Sequence, residues 1–158
     1  MHNLKDYRFE VANAEDLCEI VRMKLSMFAE SGHADLLAEN ASEMVLADYR
    51  TLYATGLARH FIAKLGMTIV GCAGAFIKED IPFRYFKISR YGFIGDVYVD
   101  PVNRGSGIAS RLSTDAPAWL RSQDIGMVRL LASEAGRPIY SRLGFMSSDE
   151  MVFINRAH

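Results

Sequence analysis

Val97-Tyr98-Val99-Asp100-Pro101-Val102-Asn103-Arg104-Gly105-Ser106-Gly107-Ile108-Ala109 reads as three pieces in series: a strand end, a glycine-rich turn and the opening of a helix. Aspartate and proline at positions 100 and 101 stop the strand. Beyond the glycines, Ile108, Leu112, Ala116, Trp119 and Leu120 form one apolar stripe at helical spacing. The first N–H groups of a helix have no internal partner and sit at the positive end of its dipole. This layout therefore predicts an anion site made of main-chain nitrogens at residues 105–109. Glycine at 105 and 107 keeps a Cβ out of the ligand's way. Arg104, at the rim, is expected to add a charge-assisted bond to a phosphate oxygen.

On the N-terminal side, residues 7–12 alternate as a short strand, and Asn13 stands at a helix N-cap position with Asp16 three residues on. Leu17, Ile20, Val21, Lys24, Leu25 and Phe28 follow at helical spacing until Gly32. Met44, Leu46, Ala47, Tyr49, Leu52 and Tyr53 mark a second helix that runs to Gly56. Residues 60–65 and 67–77 are rich in Ile, Val and Phe around Gly66, an antiparallel hairpin. A mixed aromatic and basic segment, 78–90, leads into a strand at 91–99. On the C-terminal side the pattern predicts a helix carrying Pro117, a strand at 128–132, a short helix at 138–143 stopped by Gly144, and a last strand at 151–154. Proline inside the long helix predicts a kink or an early end. The order βααββ followed by βαβαβ is an α/β domain with a mixed sheet. No repeat or Gly/Ser-rich linker divides it, so residues 1–158 are expected to form a single domain.

The chain's 158 residues are 50% apolar, enough for one core. Eighteen Lys and Arg against nineteen Asp and Glu leave a net charge of −1. No global field draws such a protein to nucleic acid or to an anionic membrane, so a bound anion must be held by local geometry. No apolar run approaches the ~20 residues of a membrane span, and Met1-His2-Asn3-Leu4-Lys5-Asp6 lacks the apolar core of a secretory signal. Cys18 and Cys72 are read as reduced core residues, and the location expected is cytoplasmic. The four histidines, His2, His33, His60 and His158, show no metal spacing, and no metal is expected. Phe83, Tyr85 and Phe86 between Arg84 and Lys87 fit a lid over a second substrate better than a nucleobase platform. A homodimer is compatible with these features, although the sequence assigns no exposed apolar patch to it.

The spacing narrows the anion. A dinucleotide loop needs Gly or Ala where Ser110 stands, which disfavours a nucleotide-dependent oxidoreductase, and a P-loop is absent. What fits is R-x-x-G-x-A across Arg104, Gly107 and Ala109, preceded by Val97-Tyr98-Val99-Asp100-Pro101. Here the sequence resembles the GNAT family of acyl-CoA-dependent N-acetyltransferases, whose pyrophosphate loop has Gln or Arg, then Gly three residues on, then Gly or Ala two further. Ala132-Ser133-Glu134-Ala135-Gly136-Arg137-Pro138-Ile139-Tyr140-Ser141-Arg142-Leu143-Gly144-Phe145 resembles the family's second signature, a strand end, a short helix bearing Tyr, and a Leu-Gly-Phe ending.

The resemblance implies a mostly antiparallel mixed sheet, flanked by helices, whose central parallel strands, 91–99 and 128–132, splay apart. It implies that acetyl-CoA binds there, with the amides of Gly105, Ser106, Gly107, Ile108 and Ala109 on the pyrophosphate. Val97, Tyr98 and Val99 would lie along the pantetheine arm, with Ser133 on the opposite strand. The reaction implied is direct acetyl transfer to a primary amine of a small molecule or peptide in a ternary complex. Such chemistry needs an acid for the thiolate, an oxyanion donor and a base. Tyr140 matches the family's tyrosine near the sulfur, against a role as a core aromatic. An N–H near Tyr98 or Val99 is the expected oxyanion donor. Asp96 is the candidate base, through a carboxyl pKa raised by burial, or else it satisfies donors at a strand bulge. Glu134, Glu30 and Glu43 are weaker candidates for the base. A non-catalytic CoA or acyl-CoA binding or sensing module is the alternative reading.

Overall fold

Short alternation at the N-terminus forms β1 (Arg8–Val11), which leads through a turn capped by Asn13 into the first helix. The Asn13 side chain accepts from Glu15 N–H at 2.8 Å, and its own N–H donates to Asp16 at 2.9 Å. These bonds fix the entry of α1 (Leu17–Glu30), whose Leu17, Ile20, Val21 and Met23 are buried. A second helix, α2 (Ala41–Ala54), β2 (Ala58–Leu65), β3 (Thr68–Glu79) and β4 (Arg90–Val99) follow. The chain continues with α3 (Ile108–Ser122), β5 (Val128–Leu130) and α4 (Arg137–Arg142). This computed structural model describes residues 2–82 and 89–154; the aromatic segment read as a lid, Phe83 to Lys87, lies outside the described residues.

The five strands form one sheet in the order β1-β2-β3-β4-β5. The first three pairings are antiparallel, and β4 with β5 is parallel. β3 is buried continuously from Ile69 to Ile77 because both faces of the sheet are covered. On one face, α1 and α2 pack on Ile62, Cys72 and Phe76. On the other, α3 packs Ile108 and Leu112 on Ala63, Ala73 and Val99, and packs Ala116 and Trp119 on Ala75 and Ile77. Among the described residues, no helix is long and apolar enough to cross a membrane.

Three expectations are corrected, and one of the two alternatives at Pro117 is removed. Residues 151–154 form no strand: their side chains are 70–94% exposed and pair with nothing in the sheet. In consequence β5, three residues long instead of five, is an edge strand, not a central one. The helix does not end early at Pro117 but runs five residues past it to Ser122, its apolar stripe held against the sheet on both sides of the proline. Cys18 is exposed on α1, while Cys72 is buried with its thiol on the Asp96 carbonyl at 3.1 Å.

Candidate active site

Parallel pairing between β4 and β5 lasts for three residues, Gly92↔Val128, Phe93↔Arg129 and Ile94↔Leu130, after which β4 runs on to Val99 paired with β3 only. The splay implied by the resemblance is therefore present. Its origin is local. On the β3 side, Gly74 faces Gly95 and Cys72 faces Tyr98, so Asp96 and Val97 together stand opposite Ala73. That is a β-bulge, and Asp96 takes the left-handed conformation in it, φ 56°. Aspartate tolerates this region better than most residues, at a cost of about 1 kcal/mol.

The wedge between the strands opens into a cavity of about 530 Å³. Asp96 and Val97 from β4, Ser133 and Tyr140 from the second signature, and Lys24 and Tyr49 from the helices line it. Four of the residues singled out in the sequence thus meet in one place. The loop residues Arg104 to Ala109 do not line this cavity; they follow on from the far end of the unpaired strand edge.

In that loop Gly105 and Gly107 have φ of 79° and 87°, so glycine is required by the backbone as well as by ligand access. The first bond into α3 runs from Arg111 N–H to the Gly107 carbonyl at 3.1 Å. Among the described residues, the N–H groups of Gly105, Ser106, Gly107, Ile108, Ala109 and Ser110 have no protein acceptor. Side chains brace the turn from below. The Tyr7 hydroxyl donates to buried Asn103 at 3.1 Å, the Ser106 hydroxyl donates to the Asn103 carbonyl, and the Ile108 side chain is buried in the core. Arg104 is not free at the rim as expected. Its Nε donates to the Val99 carbonyl at 2.8 Å and its guanidinium pairs with Glu30 at 2.6 Å, because α1 ends directly beside the loop. Tyr98 donates its hydroxyl to the same Glu30 carboxylate at 2.6 Å. These two bonds, Tyr98 first and then Arg104, hold Glu30 below the usual carboxylate range.

The sequence reading of Asp96 is corrected in its electrostatics. Only 3% exposed, its carboxylate receives Lys24 Nζ at 2.5 Å, the Tyr49 hydroxyl, and a contact with His60 Nε2 at 2.9 Å. Burial pushes its pKa up, but the bond and charge of His60 and then those of Lys24 outweigh it and hold the group well below the ordinary value of 3.8. The carboxylate is therefore ionised and a weaker base than burial alone would make it, and its donors are side chains of α1, α2 and β2 instead of the backbone of the bulge. His60 Nδ1 extends the network to the Tyr53 hydroxyl at 2.9 Å. Burial, then the Asp96 charge, raise the Tyr49 hydroxyl far above its ordinary value, and burial does the same to Tyr53.

The sequence did not reveal this cluster. Lys24, Tyr49 and Tyr53 sat within helical patterns, and His60 was one of four scattered histidines; the available signal was a histidine and a lysine placed on otherwise apolar faces. Tyr140 lies on α4 with its ring edge-on to Phe145, centroids 5.8 Å apart. Burial raises its pKa, opposed by the nearby Ser113 hydroxyl on α3, which is itself buried without a hydrogen bond of ordinary geometry. Ser133 holds the turn before α4: its hydroxyl accepts from Gly136 N–H at 3.1 Å.

Comparison with known proteins agrees with this geometry. The model of the acetyltransferase (GNAT) domain matches residues 56–147, more than half of the chain. Among solved structures, a predicted acetyltransferase from Clostridium acetobutylicum, crystallised with acetyl-CoA, is 24% identical over 94% of this chain and 96% of its own, with a TM-score of 0.83. A GCN5-related N-acetyltransferase from Ralstonia eutropha is 26% identical over 94% of this chain and 98% of its own, also at 0.83. An aminoglycoside 6'-N-acetyltransferase from Acinetobacter haemolyticus is 18% identical over 96% and 99%, at 0.68. No curated protein matches the chain. A strand wedge ending in a glycine loop of unclaimed amides, together with the family match across that segment, shows that the chain belongs to the GNAT family of acetyltransferases.

Proposed function

We propose that residues 1–158 form one N-acetyltransferase domain that transfers the acetyl group of acetyl-CoA directly to a primary amine within a ternary complex. The observation that carries this reading is the run of N–H groups from Gly105 to Ser110 without protein acceptors among the described residues, at the end of the β4 edge that β5 leaves after Ile94. A pyrophosphate fits the first and an extended pantetheine arm fits the second. The residues that would hold the cofactor are Val97, Tyr98 and Val99 along the arm and Gly105, Ser106, Gly107, Ile108 and Ala109 at the pyrophosphate. Ser133 would flank the arm from the other strand. Arg104 shapes this edge through its bond to the Val99 carbonyl and reaches a phosphate only by leaving Glu30.

In the reaction the neutral amine attacks the thioester carbonyl, a C–N bond forms, and the C–S bond breaks. The amine nitrogen loses one proton, and the departing thiolate gains one. Tyr140, protonated through neutral pH, lines the cavity and is the acid assigned to the thiolate. A main-chain N–H at Tyr98 or Val99 is the oxyanion donor. Asp96 takes a different part from the one first expected. Ionised and saturated with donors, it fixes Lys24 and Tyr49 around the cleft, and the amine proton leaves to water in the open cavity.

That saturation also favours a second reading, a module that binds CoA without turnover. One experiment tests both. Calorimetric titration with acetyl-CoA is followed by a thiol-release assay across an amine panel. Binding with turnover is the result expected. Binding without turnover on any amine selects the sensor, and no binding at millimolar acetyl-CoA refutes both readings.

A further inference from the structure

The charges and rings of the cavity define which amine it accepts, an inference that rests on the acetyltransferase reading above. Two carboxylates face the space, Asp48 and Asp96. Asp96 is consumed by Lys24, Tyr49 and His60, which leaves Asp48, exposed on α2, as the carboxylate open to an incoming ammonium. Among the described residues two cations face the same space, Lys24, already paired with Asp96, and Lys78. Lys24 Nζ lies 5.8 Å from the Phe28 ring and 5.7 Å from the Tyr49 ring, and Lys78 Nζ lies 4.4 Å from the Phe93 ring. The rest of the described lining is dominated by apolar and aromatic groups, among them Met27, Leu52 and Phe76, with the rings of Tyr49 and Phe76 5.7 Å apart.

We infer that the acceptor is a monoamine on an apolar or aromatic body, and that polycationic amines are excluded. Aromatic side chains bury such a body with large contact area. A polyamine or aminoglycoside would bring two or more ammonium groups to one uncommitted carboxylate among the described residues, with Lys78 opposing the additional ones and Lys24 already neutralised by Asp96. Repulsion between like charges in a partly enclosed cavity is screened less than at an open surface. Specificity of this kind arises from the repulsive element as much as from the attractive one.

The test is a thiol-release assay with acetyl-CoA and four acceptors, 2-phenylethylamine, 4-phenylbutylamine, spermidine and tobramycin, with acetyl-CoA affinity measured separately by calorimetry. The phenylalkylamines are expected to exceed spermidine and tobramycin by more than about tenfold in kcat/KM. Equal or greater turnover of tobramycin or spermidine overturns the inference and leaves the acetyltransferase reading intact. Acetyl-CoA binding with no transfer to either phenylalkylamine also overturns it, whereas failure to bind acetyl-CoA removes the reading on which it rests. Lys78 is exposed at the end of β3, so Lys78→Glu keeps the fold and is expected to shift the kcat/KM ratio toward spermidine by about tenfold or more. An unchanged ratio refutes the electrostatic exclusion.

Discussion

Asp96→Asn isolates a single charge at the centre of the molecule. Asparagine keeps the size of the side chain and tolerates φ 56°, so neither packing nor backbone strain changes appreciably. What is lost is the negative end of a buried cluster. Lys24 at 2.5 Å, His60 at 2.9 Å and the Tyr49 hydroxyl all lose a charged acceptor. Removing one partner of a buried pair costs about 3–5 kcal/mol. The Lys24 side chain is 24% exposed and can turn toward water, which places the expected loss near the lower end, about 3 kcal/mol. For a domain of this size that corresponds to a fall in Tm of roughly 6–12 °C.

The loss also has a pH signature. Asp96 titrates below its ordinary value of 3.8 when folded, so its stabilisation is complete above that value and disappears as pH falls toward the folded pKa. Urea unfolding of both proteins between pH 5 and pH 3 should show the gap narrowing as pH falls. A variant as stable as the parent at pH 7, or a gap of unchanged size at pH 3, refutes the assignment of Asp96 as an ionised hub.

Gly107→Val should abolish acetyl-CoA binding in calorimetry while the circular dichroism spectrum is retained, because φ 87° and access to the loop amides are both lost; preserved affinity would move the pyrophosphate elsewhere. Tyr140→Phe should lower kcat by about 10²-fold with little change in acetyl-CoA affinity, and an equal rate would return Tyr140 to a packing role. Its burial-raised pKa keeps the acid available, so the parent's kcat should show no alkaline fall below the ordinary phenol value of 10. Gly74→Ala should destabilise the protein by about 1–3 kcal/mol in denaturant titration. The added Cβ would stand 2.7 Å from Phe76 Cε2 and 2.8 Å from His60 Nε2, and normal stability would show that the two rings yield.

The hairpin at Gly66, both long helices of the first half and the loop at residues 104–109 were legible because each is written locally, in hydrophobic period and in glycine placement. The splay reached the sequence reading only through family resemblance. Its physical cause, a bulge at Asp96, leaves no periodic mark. The strand expected at 151–154 has the right residues, yet a strand forms only beside a partner, and β5 offers three residues of ladder. The Asp96 cluster was invisible for a related reason. Its members are 72, 47 and 36 residues from Asp96 in sequence, and only the packing of α1, α2 and β2 on the bulge brings them together. Arg104 shows the converse. Its role at a phosphate followed from the loop alone, and the end of α1 supplied a carboxylate that the loop could not announce.

The half of β4 beyond Ile94 carries a consequence for inhibitor chemistry. An abandoned strand edge that terminates in a cluster of uncommitted N–H donors has the polarity of a receptor for an extended backbone with an anionic tail. A short peptidomimetic, four or five residues with a phosphonate or carboxylate at its far end, would zip onto the edge and seat its charge on the helix start without any nucleotide. Such a compound would compete with the natural cofactor for the strand edge and the loop amides.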